Sequence, residues 1–149
     1  MKKHVVLFFI FITTVLNAQW DKTSFNIAYR YTGRNVLQSG LEFKVNTARE
    51  QSLVAGASML YTSVHHKDKF LPEANIYYTN IKSQLMGVSV NPYSIEPRIG
   101  FSLFNFMYLN TGYAFPIHKE KYFKGITFGV QFNIAPVKNS AFYDRLKLM

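Results

Sequence analysis

From Tyr122 to Ile134 the chain alternates with a period of two. The even positions read Tyr122, Lys124, Ile126, Phe128, Val130, Phe132, Ile134; the odd ones read Phe123, Gly125, Thr127, Gly129, Gln131, Asn133. Such alternation is a strand with two different surroundings. The same division runs through the chain, with rings and branched side chains on one parity and small or polar residues on the other. Gly40, Gly56, Gly87, Gly100, Gly112, Gly125 and Gly129 all fall on the small side. A soluble barrel would place its bulk inside. Here the small polar face is the one suited to a crowded concave interior, so the bulky face needs an apolar partner elsewhere, and lipid is the simplest.

The amino terminus fits that destination. Lys2 and Lys3 precede an unbroken apolar run from Val5 to Ile12, and Ala18 is a suitable cleavage residue. Residues 1–18 therefore read as a secretory signal peptide cleaved near Ala18, too short an apolar run for a spanning helix. Residues 19–134 read as one barrel domain and 135–149 as a periplasmic tail. The chain has 17 Lys and Arg against 8 Asp and Glu; without Lys2 and Lys3 the balance is 15 against 8. There is no cysteine, so no disulfide staples an exported domain, and backbone pairing has to hold it. Closure of a sheet does this by pairing every strand.

Eight alternating segments are expected, at about 24–31, 36–46, 53–63, 71–79, 83–90, 95–103, 106–115 and 122–134. Strands of about ten residues cross a bilayer, and eight of them leave hairpin-length connections. The expected architecture is all-β: an eight-stranded antiparallel up-and-down transmembrane barrel. Phe25, Ile27, Phe43, Ile76, Ile99, Phe101, Leu109, Tyr113, Ile126, Phe128 and Phe132 are expected to face lipid. Pro72, Pro92, Pro97 and Pro116 are expected at or near the outer rim, because proline cannot donate to a ladder.

Six charges fall on the inward parity: Arg30, Lys44 and Arg98 with Glu42, Glu73 and Glu96. Buried charges must be paired, so three bases and three acids are expected to form one interior network that fills the barrel. Lys67, Lys69, Lys119 and Lys121 form a basic patch expected on outer loops, beside phosphate-bearing lipid headgroups. His65, His66 and His118 lie among these lysines without a carboxylate or thiol cluster at ligand spacing, so neither metal nor cofactor is expected. Short basic loops at a rim do not suit nucleic acid, which needs a stripe with interleaved stacking aromatics. In the tail, Phe142, Leu146 and Met149 recur at helical spacing and form a candidate docking segment for a larger envelope complex.

The closing hairpin, Leu109 to Pro116 followed by Phe123 to Ile134, resembles those of the small eight-stranded outer-membrane β-barrels of Gram-negative bacteria, the OmpA/OmpX type. That resemblance implies an outer-membrane location and structural, adhesive or accessory roles. The expected function is a non-catalytic integral outer-membrane protein, structural or accessory to an envelope assembly. Two alternatives remain open. One is a lipid A-modifying enzyme, for which Ser63 and His65 are a conceivable pair near the rim. The other is a soluble periplasmic barrel or sandwich with the bulky face as its core.

Overall fold

The computed structural model describes residues 20–46, 51–64, 66–104, 106–136 and 140–143. The expected signal peptide lies outside these residues. Eight antiparallel strands follow in chain order: β1 (Thr23–Tyr31), β2 (Asn35–Lys44), β3 (Ser52–Val64), β4 (Lys67–Thr79), β5 (Gln84–Asn91), β6 (Ser94–Leu103), β7 (Met107–Pro116) and β8 (Gly125–Ile134). Each strand pairs with its sequence neighbours and β1 pairs with β8, so the sheet closes. Turns after β1, β3, β5 and β7 gather at one end, called here the loop end. The start of β1 and the end of β8 share the other, the terminal end.

The register is staggered around the barrel. Tyr31, at the loop end of β1, sits opposite Phe128; that row continues through Thr111, Ile99 and Met86 to Tyr78, at the terminal end of β4. Strands that climb this way are tilted against the barrel axis, as closure requires.

The interior of the barrel is mostly polar and its outer face mostly apolar. Among the described residues, 22 polar or charged side chains are buried against 12 apolar ones. Phe128 and Ile99 are each 61% exposed, whereas Arg30 and Glu42 are 2% and 1% exposed. The enclosed bulky face that a sandwich would need is therefore not present. Outward rings cluster towards both ends: Tyr29, Tyr31, Tyr61, Phe70, Tyr113 and Phe115 near the loop end, and Phe25, Phe43, Tyr78, Phe101, Phe106 and Phe132 near the terminal end. Between them the outward positions are mostly aliphatic, among them Ile27, Leu41, Ile76, Val88, Ile99 and Leu109.

Three expectations are corrected or sharpened. First, β4 begins at Lys67 rather than near Leu71, because Lys67 to Phe70 continue the pairing with Val64 to Tyr61. Lys67 and Lys69 thus belong to a strand and not to a loop. Second, Pro92 and Pro116 lie at a turn or a strand end, while Pro72 and Pro97 lie inside strands, in their loop-end halves. Pro72 sits inside β4, in a stretch that pairs β3 but extends past its β5 partner, so no ladder bond is required on that side. Pro97 sits inside β6 opposite Val88, and pairing with β7 lapses there, between Ile95–Phe115 and Arg98–Gly112. A missing donor explains the gap. Third, β8 begins at Gly125 rather than Tyr122. Gly125 is glycine for its backbone (φ +98°), since an added Cβ would meet nothing within 4 Å.

Crowding does govern Gly87. A Cβ there would lie 2.4 Å from the Cβ of Tyr77 and 2.5 Å from the carbonyl oxygen of Ile76. Backbone cannot yield at that distance, so the wall depends on glycine at this point. Gly87→Val is expected to prevent closure, seen as loss of the folded β-sheet circular dichroism signal after refolding in detergent. The outward substitution Thr111→Val should refold normally.

Candidate functional site

The lumen holds the chemistry, arranged in layers. At its centre Arg30 (β1) makes a two-point contact with Glu73 (β4), Nη1 to Oε1 at 3.1 Å and Nη2 to Oε2 at 2.6 Å. Arg98 (β6) donates from Nη2 to the same Glu73 Oε1 at 3.0 Å and from Nε to Glu96 at 2.9 Å. Glu96 returns to Arg30 at 3.7 Å, closing a ring of two guanidinium and two carboxylate groups. Thr127 donates to Glu96 at 2.7 Å, and Ser89 accepts from Arg98. Alternation dictates this meeting: each residue lies on the inward parity of its strand. The stagger brings residues from β1, β4, β6 and β8 to one place. Planar guanidinium suits such two-point pairing better than ammonium would.

Glu42 lies towards the terminal end in a different setting. Asn26, Asn75, Gln131 and Asn133 donate to its carboxylate at 2.7, 3.1, 3.0 and 2.7 Å. The Tyr77 hydroxyl donates to it as well. Among the described residues its hydrogen-bond partners are neutral groups. The contacts among the described residues divide these charges by height along the barrel. Four make the ring, Glu42 has its own cage of amides and a phenol, and Lys44 is buried further towards the terminal end of β2. The sequence could not separate these groups, because parity identifies a face and not a height along the barrel.

Apolar clusters close both ends. At the loop end Val36, Leu60, Leu71, Ala114 and Phe123 pack together under Tyr93 and Tyr122. At the terminal end Val54, Tyr77, Leu85 and Tyr108 enclose Phe142, which is 2% exposed. Phe142 is thus occupied by its own barrel and is not offered to a partner. Leu146 and Met149 lie outside the described residues. The segment around Phe142 is tied down at several points. Ser140 donates to the carbonyl of Asp21, and the Ala141 N–H donates to the Asp21 carboxylate at 2.8 Å. The Tyr143 hydroxyl accepts from the Ala135 N–H at 2.7 Å and donates to the Asn133 carbonyl at 2.9 Å. The expected helical spacing missed this role, since the plug is made by one ring and its capping bonds. A void of about 10 Å³ bordered by Asn75, Ser89, Arg98, Asn110 and Gln131 is no larger than a single water requires.

All eleven side chains expected to face lipid lie on the outward parity, including Phe43 and Tyr113. A groove of about 500 Å³ crosses this face over Thr111, walled by Met86, Ile99, Phe101, Leu109 and Phe128. Of the conceivable hydrolase pair, Ser63 points outward from β3 opposite Asp68, and His65 lies outside the described residues. No protein-family model matches the chain, and no curated protein or solved structure matches it either.

Glu73→Gln would leave Arg30 and Arg98 short of an anion. It is expected to cost about 3–5 kcal/mol, read from urea unfolding in detergent, because a buried charge loses its partner. A loss below about 1 kcal/mol, the value of an exposed pair, would mean that the ring does not hold the barrel. Phe142→Ala should admit a water-soluble carbodiimide to Glu42 without unfolding the barrel. Mass spectrometry should find Glu42 modified in the variant and protected in the parent.

Proposed function

We propose that this protein is a non-catalytic integral outer-membrane β-barrel of the small OmpA/OmpX-like type, structural or accessory in the envelope of a Gram-negative bacterium. The observation that carries this reading is the inverted distribution: a belt of exposed apolar side chains encircles a buried polar interior. Exposed apolar surface on that scale is unfavourable in water and ordinary against acyl chains. Aromatic bands at both ends with aliphatic residues between them are the pattern of a barrel whose rims sit among headgroups, which supports this reading. The groove over Thr111 suits an acyl chain better than a polar ligand. Residues 1–18 supply the export signal in this reading.

The filled lumen favours a wall over a channel. Ions entering would have to displace two apolar plugs and disrupt a neutral ring of charges. An accessory role in a larger assembly would then use the outer face or the tail beyond residue 143, since Phe142 is committed to the plug.

The test is membrane behaviour of the full chain. The protein should stay with membranes through a carbonate wash and migrate faster on a gel when unboiled than when boiled. Reconstituted in a planar bilayer, it should give no steady conductance. Release by carbonate together with unchanged migration would reject the membrane reading, and a stable open level would reject the sealed lumen.

A further inference from the structure

The loop end carries a concentration of positive charge that its own acids do not neutralise. Arg34, Lys67, Lys69, Lys119, Lys121 and Lys124 stand there with two acids, Asp68 and Glu120. Six cations against two acids leave the excess positive. The innermost cations rest on rings. Lys69 Nζ lies 4.5 Å from the centre of the Tyr122 ring and 5.7 Å from that of Tyr93; Arg34 lies 5.4 Å from the Tyr122 ring. Arg34 also donates from Nε to the Tyr122 carbonyl at 3.0 Å. Ring faces and carbonyls orient a cation without cancelling its charge. At the terminal end the described charges outside the lumen are Asp21 and Lys82, exposed, and Lys22, half-buried.

The outward rings Tyr31, Tyr61, Phe70 and Phe115 lie at the same end of the barrel, 48%, 38%, 67% and 52% exposed. An amphiphile laying its chains on these rings would bring its head to the lysines. A free anion would gain nothing from the rings. We propose that the loop-end collar of Lys69, Lys119 and Lys121, at the same end of the barrel as an outward aromatic band, binds the phosphate groups of outer-leaflet lipid headgroups. This rests on the membrane reading and adds the ligand to it. Lysine holds phosphate as a point charge, and each such lysine near a charged lipid surface contributes appreciably to binding.

The test titrates the full chain in mild detergent with short-chain phosphatidic acid or phosphatidylcholine and reads bound lipid by native mass spectrometry. Phosphatidic acid should bind more tightly, and Lys69→Gln/Lys119→Gln/Lys121→Gln should weaken it by about tenfold or more. The pair Lys119→Gln/Lys121→Gln, confined to the exposed loop, should give an intermediate loss with the fold intact. Lys22→Gln/Lys82→Gln at the other end should bind like the parent. Equal binding of the two lipids, no loss in the triple variant, or an equal loss in the terminal-end variant would overturn the proposal. Displacement by inorganic phosphate at the lipid's own concentration would also overturn it, assigning the collar to a soluble anion. Vesicle flotation separates the two failures. A protein that floats with vesicles but ignores headgroup charge loses only the collar; one that floats with none loses the membrane reading too.

Discussion

The ring formed by Arg30, Glu73, Arg98 and Glu96 is the interaction on which the rest of this barrel depends. This closed sheet, with its bulky face outward, has apolar clusters at its ends but a polar middle. Its centre must be filled by groups that satisfy each other, because a buried charge without a partner costs several kcal/mol. Two guanidinium groups and two carboxylates do this with no net charge. The ring also ties strands far apart in the chain, since Glu73 lies 43 residues from Arg30 and 25 from Arg98. A slip of one residue in any contributing strand would turn its charge outward. The ring therefore selects the register as much as it stabilises it.

What lies above and below the ring follows from the same constraint. Polar contacts of this kind hold only where water is kept from competing. The two apolar clusters provide that shielding, one built from strand residues and Phe123, the other completed by Phe142 from beyond the last strand. Glu42 lies between ring and lower plug, in a cage of neutral donors supplied by β1, β4 and β8. Sealed ends, a neutral middle and glycine where the wall is tightest describe a solid cylinder better than a pore.

Much of this was visible in the sequence, for a definite physical reason. Period-two alternation states which face each residue occupies, and Arg30, Glu42, Glu73, Glu96 and Arg98 could be placed inside from parity alone. So could the outward Phe128 and Ile99. Strand number followed from length and hairpin economy. Height along the barrel did not follow, because it depends on the stagger between strands. Hence the six charges were expected together, while the structure separates Glu42 from the ring. The length of the β3–β4 hairpin was hidden because Lys67, Asp68 and Lys69 read locally as a solvated turn, although cross-strand pairing with Ser63 and Thr62 extends the ladder through them. The plug at Phe142 was hidden for a third reason: a single ring held by Asp21 and Asn133 has no periodicity to reveal it.

The central claim is one of orientation: the apolar belt faces a bilayer while the charge ring stays dry. Nitroxide labels placed singly at positions 27, 76, 99 and 128 in the reconstituted protein test it directly through their accessibility to oxygen and to a water-soluble nickel chelate. The account predicts strong broadening by oxygen and protection from the chelate at all four positions, with labels on the exposed loop at 119 and 121 showing the opposite. Free access of the chelate to positions 27, 76, 99 and 128 would place the belt in water and contradict it.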